Sequence, residues 1–294
     1  MPAYPKVAVA GATGNLGPSV VRELVNAGIQ VTTISRSGKT DGLPSDVKTV
    51  KVDYGSQDSL VSALQGHDAV VSLLPKHDQQ DVLIDAAIAA GVKRFLPSEF
   101  GSNIAGNSAT ASLPVFAGKA KTQKYLESKK DQISYTYVVN GLFLDWGLGL
   151  GLNINLKGPT NLYDGGNVKF STTLLSDVGK AVVGILKHPD ETKDRAVYVQ
   201  SASVTQNELL EIAKKVKPGY QPETNHVDVK QLEEGAYEKL RKGEDVGTAY
   251  FHFIVASVFR PEFGSDWSAK NDNELLGIKE LSQKELEEVV AKYA

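Results

Sequence analysis

The sequence contains no cysteine among its 294 residues, which excludes disulfide bonds and thiolate chemistry. It also has no strong excess of either charge, because 35 acidic and 32 basic side chains give a net charge of −3 without blocks of like charge. A nucleic-acid surface needs clustered lysine and arginine, so we expect no nucleic-acid partner. The lack of cysteine is compatible with a reducing compartment.

Long apolar runs are also missing. The most apolar stretch, residues 141–156, is interrupted by Asp145, Asn153 and Asn155 and is too short to cross a bilayer. The first predicted strand begins within a few residues of Met1, which leaves no room for a signal peptide. We therefore expect a soluble cytoplasmic protein with no membrane partner, built as one large domain or as a domain with a smaller lobe.

Near the N-terminus, a glycine-rich segment lies between an apolar run and a helical pattern. Gly11 permits a sharp exit from the strand, Gly14 lets the backbone approach a pyrophosphate, and Gly17 lets the helix pack close to the sheet. The first N–H groups of the helix then point at the anion, with the helix dipole in support. This order predicts a dinucleotide site that includes Gly11, Thr13, Gly14, Asn15, Leu16 and Gly17.

The first half of the chain alternates short β-rich runs with helical patterns. Strands are predicted at 6–10, 30–35, 48–52, 69–73, 93–98 and 133–139. Helices are predicted at 15–27, 56–65, 79–91 and 114–129. This alternation indicates an α/β fold with a doubly wound parallel sheet of the Rossmann type, in which ligands bind beyond the carboxyl ends of the strands.

After Gly141 the pattern changes. The glycine-spaced segment from Trp146 predicts a flexible exit from the sheet, and residues 162–170 predict a hairpin. Asp177 is predicted to cap a helix that ends near Lys187, and residues 196–200 form one more strand. We assign 1–153 and about 175–205 to a nucleotide-binding domain, and 154–174 and 206–294 to a smaller, mostly helical substrate lobe. Its clearest helices are 232–241 and 250–259.

The end of the second strand indicates which nucleotide binds. An NAD site usually has an acidic residue there, whereas this strand ends in Ser35 and Arg36, with Lys39 close by. Arg36 can hold a ribose 2′-phosphate through charge-assisted hydrogen bonds, so we predict NADP(H) as cofactor. The alternative is a solvated arginine on a loop.

Other strand ends add cofactor candidates. Asp53 either accepts a hydrogen bond from the adenine amino group or caps the next turn. Ser72 and Pro75 end the fourth strand near the expected nicotinamide ribose, where the shape of the backbone matters more than the side chains.

One lysine of the helix predicted from Pro114 has an unusual phase. Val115, Lys119, Thr122 and Leu126 share one stripe, which directs Lys119 toward the sheet and cofactor. An unpaired ammonium there is costly, so we interpret it as a group that binds ribose hydroxyls or passes a proton to substrate. The alternative is a lysine that reaches solvent along the helix flank. Tyr125 and Lys129 match a YxxxK spacing but lie on another face, and we expect them at the surface.

Together these residues resemble the NmrA-like, isoflavone-reductase-like branch of the atypical short-chain dehydrogenases. The match comprises GATGNLG at 11–17, Arg36, KRFLPSEFG at 93–101, VFAGKAK at 115–121 and YTYV at 135–138. The resemblance implies NADPH-dependent reduction of phenylpropanoid-like aromatics, including isoflavones, benzylic ethers, lignan precursors and coniferyl-type esters. It also implies that Lys119 is the catalytic general acid/base. The PSEFG segment adds Ser98, Glu99 and Phe100 as cofactor-binding candidates.

The plant members usually carry Ser-Ser-Asn after the YTYV strand, whereas this chain has VNGLF at 139–143, which is similar to fungal or microbial members. For a small-molecule substrate we nominate Phe100, Phe143, Trp146 and His252. The alternative for the three aromatic residues is ordinary core packing. The alternative for His252 is a core or interface position in which its hydrogen bonds are satisfied. The five histidines lack metal-ligand spacing, so we expect no metal site.

Two functions remain in competition. One is an NADPH-dependent reductase that uses Lys119. The other is a non-catalytic, NADP(H)-sensing regulator of the NmrA type that binds a partner protein, and regulators of this group typically lack the lysine. Cofactor-assisted isomerisation or cyclisation is a third reading. The sequence is compatible with a monomer and with a homodimer.

Overall fold

The computed structural model describes residues 3–75 and 78–294. Its strands are β1 (Lys6–Ala10), β2 (Gln30–Ser35), β3 (Lys48–Lys51), β4 (Ala69–Ser72), β5 (Arg94–Leu96), β6 (Ser134–Val139), β7 (Leu142–Phe143), β8 (Thr160–Tyr163), β9 (Phe170–Thr173), β10 (Arg195–Tyr198), β11 (Ala202–Val204) and β12 (Thr224–Val227).

The helices in the same part of the chain are α1 (Gly17–Asn26), α2 (Gln57–Leu64), α3 (Asp78–Ala89), α4 (Ser108–Ser112), α5 (Ala117–Ser128), α6 (Leu144–Leu150), α7 (Leu175–Lys187), α8 (Gln206–Val216), α9 (Val229–Lys242), α10 (Val246–Phe259), α11 (Asn273–Leu276) and α12 (Gln283–Ala291). Short 3-10 turns cover Pro114–Phe116, Asp164–Gly166 and Pro261–Phe263. None of the described helices is long and apolar enough to span a bilayer.

Seven strands form one sheet in the order β10-β6-β5-β4-β1-β2-β3, and every neighbouring pair is parallel. The predicted doubly wound parallel sheet is therefore confirmed, including the late strand near residues 196–200. The chain order reverses between β1 and β4, whose last residues Ala10 and Ser72 are register partners. In such sheets a crevice opens beyond the strand ends at this reversal, and it is the expected ligand site.

The sheet is covered on both faces because its strands bury both sets of side chains. Along β1, Val7 and Val9 pack into one core with α1 and α7, while Ala8 and Ala10 pack into a second core with α2 and α3. Alternation of side chains along a strand produces this division. The all-apolar run of β1 is thus a strand buried between two helical layers.

A third core lies in the later part of the chain. It is formed by buried residues of α8, α9, α10 and α12, with residues of β8 and β9 packed among them. A three-stranded sheet, β11-β9-β7, and a two-stranded sheet, β12-β8, complete this region. The helices predicted at 232–241 and 250–259 lie within α9 and α10.

The hairpin predicted at 162–170 is wrong. β8 pairs in parallel with β12, more than 60 residues later, whereas β9 pairs with β7 and β11. Between β8 and β9, Asp164, Gly165 and Gly166 all have positive φ, and the 3-10 turn they form separates the two strands. The positive φ angles of these glycines therefore change the direction of the chain, and they do not form the two-residue turn of a β-hairpin.

Two other predictions after Gly141 are also wrong. The segment around Trp146 is not a flexible exit: it forms helix α6, which ends at Gly151 in the left-handed conformation. Asp177 does not cap α7, whose N-cap is Leu174. Asp177 lies buried in the first turn, where it accepts hydrogen bonds from Lys180 Nζ at 2.8 Å and Ser201 Oγ at 2.5 Å.

Candidate active site

The glycine loop follows β1 at the sheet reversal. Gly11 has φ +79°, and a Cβ on it would lie 2.7 Å from the carbonyl oxygen of Leu73, so only glycine fits. A Cβ on Gly17 would lie 2.1 Å from the Ala12 oxygen. Gly17 therefore allows the loop to close on its own backbone, which differs from the predicted contact between helix and sheet.

The start of α1 is suited to an anion. Its N-cap residue Leu16 makes no side-chain capping hydrogen bond. Gly17 N–H donates to the Gly14 oxygen at 3.1 Å and Pro18 has no N–H, so Ser19 is the first helix residue whose N–H can point at an anion. Leu16 and Gly17 are buried under the loop, whereas Thr13, Gly14 and Asn15 are exposed. The exposed residues therefore form the face that a phosphate can approach.

A cavity of about 500 Å³ lies beside this loop. Its walls come from the ends of β1, β2 and β4, and they include Gly11, Thr13, Gly14, Ser35, Arg36 and Pro75. Arg36 is exposed at this wall, within a turn in which Ser35 Oγ accepts from the Gly38 N–H at 2.9 Å. Lys39 is exposed and lies outside the described lining.

Asp53 and Ser72 are two further cofactor candidates, and they differ in their hydrogen-bond partners. Asp53 is exposed, and its Oδ1 accepts from the Gly55 N–H at 2.9 Å, which is the turn-capping role weighed above. Ser72 is fully buried, and its hydroxyl has no hydrogen-bond partner among the described residues. Ser72 is not among the residues that line the cavity beside the glycine loop, whereas Pro75 is.

Helix α5 orients its lysines as the spacing predicted. Thr122 and Leu126 are buried, Lys119 is partly buried, and Lys121 and Lys124 are exposed. Lys121 forms an ion pair with Asp81 at 3.1 Å. The helix begins after a 3-10 turn at Pro114–Phe116, so the predicted continuous helix is divided at that point.

Lys119 lies against the segment that follows β5. Its Nζ donates a hydrogen bond to the main-chain oxygen of Glu99. Burial lowers the pKa of Lys119 from its ordinary value, and the Glu99 carboxylate opposes this shift by favouring the ammonium. The amine is therefore closer to giving up its proton than an exposed lysine.

The Glu99 side chain is itself buried and points to the next turn of α5. Gln123 Nε2 donates to Glu99 Oε2 at 3.0 Å. Burial raises the pKa of Glu99, while Lys119 and the Gln123 hydrogen bond oppose that rise. Ser98, just before it, is partly buried.

A second cavity, of about 400 Å³, is lined by Lys119. Its walls are mainly apolar and include the aromatic residues Phe100, Phe116, Phe143, Trp146 and Phe251. The rings of Phe143 and Trp146 meet edge to face, with centroids 6.1 Å apart. Phe100, Phe143 and Trp146 thus line the same cavity as Lys119.

His252 is not part of this cavity, which corrects its nomination as a substrate-binding residue. Phe251 and Ile254 of α10 line the cavity instead. The His252 ring lies on a different face of α10, and its buried Nδ1 has no hydrogen-bond partner among the described residues. Burial lowers the pKa of His252.

Several lining residues were not identified from the sequence. Ser102 follows PSEFG directly, and Gly147, Leu150 and Leu152 come from the segment that was interpreted as a flexible exit. Leu142 and Asn153 lie just before and just after that segment. A helical reading of that segment would have found Gly147 and Leu150, which are three residues apart on one face. Ser102 had a signal as well, since it lies just beyond a strand end.

Tyr125 and Lys129 lie apart from this site. Both are partly exposed and contact Asp85 of α3: Tyr125 donates to Oδ1 at 2.6 Å, and Lys129 Nζ lies 3.9 Å away. Between 3–75 and 78–294, no group of three or more histidine and acidic side chains is arranged to hold a metal ion.

Comparison with known proteins identifies the family. The sequence profile of the NmrA-like family matches residues 4–253. Oxidoreductase poxI from Penicillium oxalicum is 30% identical over 301 residues, covering 98% of this chain and 93% of that protein. Isoflavone reductase homolog IRL from Zea mays is 30% identical over 233 residues, covering 71% and 74% of the two chains.

Among solved structures, that of AtPrR2 with NADP+ and (+)-pinoresinol superposes with a TM-score of 0.81 at 23% identity, covering 99% of both chains. This likeness establishes the fold. The expected enzyme class is confirmed by relatives that are named oxidoreductases, and the fungal relative agrees with the expected fungal or microbial membership. This chain belongs to the NmrA-like family.

Proposed function

We propose that this chain is an NADPH-dependent reductase of a small, uncharged aromatic or conjugated molecule of the phenylpropanoid or isoflavone type, with Lys119 as general acid/base. The observation that carries the proposal is the position of one amine: Lys119 is held by the Glu99 carbonyl at the wall of an apolar, aromatic-lined cavity. A positioned proton donor beside a substrate cavity is the arrangement that reduction of a carbonyl or conjugated bond requires.

The first cavity fits NADP(H). Gly14 is exposed beside the cavity, where a Cβ would meet only the Gly11 oxygen, so it leaves room for a pyrophosphate. Arg36 offers a guanidinium to the 2′-phosphate. Bound there, the cofactor would supply a hydride. Ser98, Glu99 and Phe100 follow β5, two strands away from β1 in the sheet, and Phe100 lines the cavity at Lys119.

The role of Lys119 follows from its surroundings. Because burial lowers its pKa, the ammonium releases a proton more readily than an exposed lysine, and the hydrogen bond to Glu99 fixes the direction of the amine. Lys119 would donate a proton to the substrate atom that gains negative charge. Proton supply would then be local, from the wall of the cavity.

The lining of the second cavity supports the substrate class. Of the described residues that line it, Lys119 is the one that carries an ionisable group, and five aromatic rings surround the space. An anionic or strongly polar substrate would lose hydration without compensation there. Relatives whose names refer to isoflavone and pinoresinol reductases support an aromatic substrate.

The regulator reading has less support. A non-catalytic sensor needs the glycine loop but does not need a buried amine at the wall of a cavity. Burial disfavours the charged form of that amine, and catalysis would explain why the chain keeps it there. A sensor would also have no use for a cavity lined with aromatic rings at that amine.

The test separates cofactor binding from turnover. Lys119→Ala should bind NADPH within a few-fold of the wild type by fluorescence titration, because the amine does not hold the phosphates. Turnover of an aromatic substrate should fall by roughly two to four orders of magnitude, the scale expected for loss of a general acid.

Lys121→Ala is the matched control, because Lys121 is on the same helix but exposed and paired with Asp81. It should keep wild-type turnover. Unchanged turnover in Lys119→Ala would remove Lys119 from the mechanism, and equal losses in both variants would show that the effect is not specific to the cavity.

A further inference from the structure

One hydroxyl in the aromatic cavity has a defined hydrogen-bond role. Ser102 lines the cavity, and its Oγ lies 3.0 Å from the Oγ of Ser257 on α10. Ser257 Oγ lies 2.7 Å from the main-chain oxygen of Ile254, which accepts but cannot donate. The single hydroxyl hydrogen of Ser257 is therefore committed to Ile254.

The hydrogen of Ser102 is committed as a consequence. Since Ser257 has no hydrogen left for Ser102, the bond between the two serines uses the hydrogen of Ser102, and Ser257 Oγ is the acceptor. No group in the described ranges, 3–75 and 78–294, donates to Ser102 Oγ. Its lone pairs are free on the cavity side, so Ser102 offers an acceptor and no donor.

We propose that Ser102 Oγ is a specificity subsite that accepts a hydrogen bond from a free hydroxyl of the substrate and discriminates against the corresponding ether. This proposal rests on the proposed function, because it specifies which aromatic substrates the cavity prefers. Lys119 can donate to the oxygen of a phenol or of an ether alike, whereas only the phenol can donate to Ser102. The cavity thereby pairs one donor with one acceptor.

The test uses two unreactive molecules of similar size, 4-propylphenol and 4-propylanisole, with the full chain saturated with NADP+. Calorimetric titration should give about fivefold tighter binding of the phenol, the factor that one neutral hydrogen bond contributes. Ser102→Ala should remove this preference by weakening the phenol. Ser128→Ala also removes a serine hydroxyl that donates a hydrogen bond, in this case to the Tyr125 carbonyl on α5 outside the cavity, and it should keep the preference.

Ser257→Ala provides an independent check on the direction of the bond. Without the Ser257 oxygen, the Ser102 hydrogen is released and can be donated to an ether, so the preference should fall because anisole binding improves. A Ser102→Ala variant that keeps the preference, or a wild-type protein without one, would overturn the subsite alone. A wild type that binds neither molecule would overturn the aromatic substrate class as well.

Discussion

Lys119 donates its hydrogen bond to the main-chain carbonyl of Glu99, while Gln123, one turn further along α5, holds the Glu99 carboxyl. One residue is thus fixed at both its backbone and its side chain by the same helix. The pairing determines both where the amine points and how readily it loses its proton, because the two buried groups shift each other's pKa.

The first prediction concerns pH. The Glu99 carboxylate raises the pKa of Lys119 against the lowering by burial, so Glu99→Gln should lower that pKa further. The general acid must be protonated, so activity is lost as pH rises through the pKa of Lys119, and this loss should move to lower pH by about one unit. The measurement is kcat against pH at saturating NADPH.

Glu127→Gln is the matched control for this prediction, because Glu127 is an exposed glutamate on the same helix. The loss of kcat at high pH, the alkaline limb of the pH profile, should occur at the same pH in this variant as in the wild type. An unshifted limb in Glu99→Gln would mean that the limb does not report on Lys119.

The second prediction concerns the choice of cofactor. Arg36→Ala should weaken NADPH binding roughly ten- to hundredfold, because a charge-assisted pair with the 2′-phosphate is lost. NADH binding should be unchanged, since NADH has no such phosphate. Lys39→Ala, at an exposed residue outside the cavity lining, should have a smaller effect. Parallel losses for both nucleotides would show that Arg36 does not read the phosphate.

The third prediction concerns the wall of the aromatic cavity. A Cβ on Gly147 would lie 1.8 Å from Asn153 Oδ1, and Asn153 is fully buried. Gly147→Ala should therefore lower the free energy of unfolding by about 1–3 kcal/mol, the cost of overpacking. Gly149→Ala, where a Cβ would approach only the Tyr293 ring edge at 3.3 Å, is the control. Urea unfolding distinguishes them, and equal stability of Gly147→Ala and wild type would contradict the packing described.

The nucleotide half of the fold was predictable because its signals are local. Each strand of the large sheet is a short β-rich run, and Gly11 marks the turn where no side chain fits. The phase of α5 could also be read, since buried Leu126 and exposed Lys124 differ in polarity. Lys119 was found by that contrast.

The second half was harder because its pairing is distant in sequence. No local pattern shows that β8 pairs with β12, and the turn glycines Gly165 and Gly166 resemble those of a hairpin. Helix α10 is apolar all round, so its sequence gives no phase that would separate Phe251 from His252. The cavity lining comes from several elements and appears only after folding.

The most direct test of the central claim is a crystal structure of the full chain with NADP+ bound. The account predicts that the nicotinamide ring lies between Lys119 and the aromatic cavity, with the amine near the ribose or the ring and Arg36 on the 2′-phosphate. A nicotinamide placed away from Lys119, with the cavity closed off from the cofactor, would contradict it.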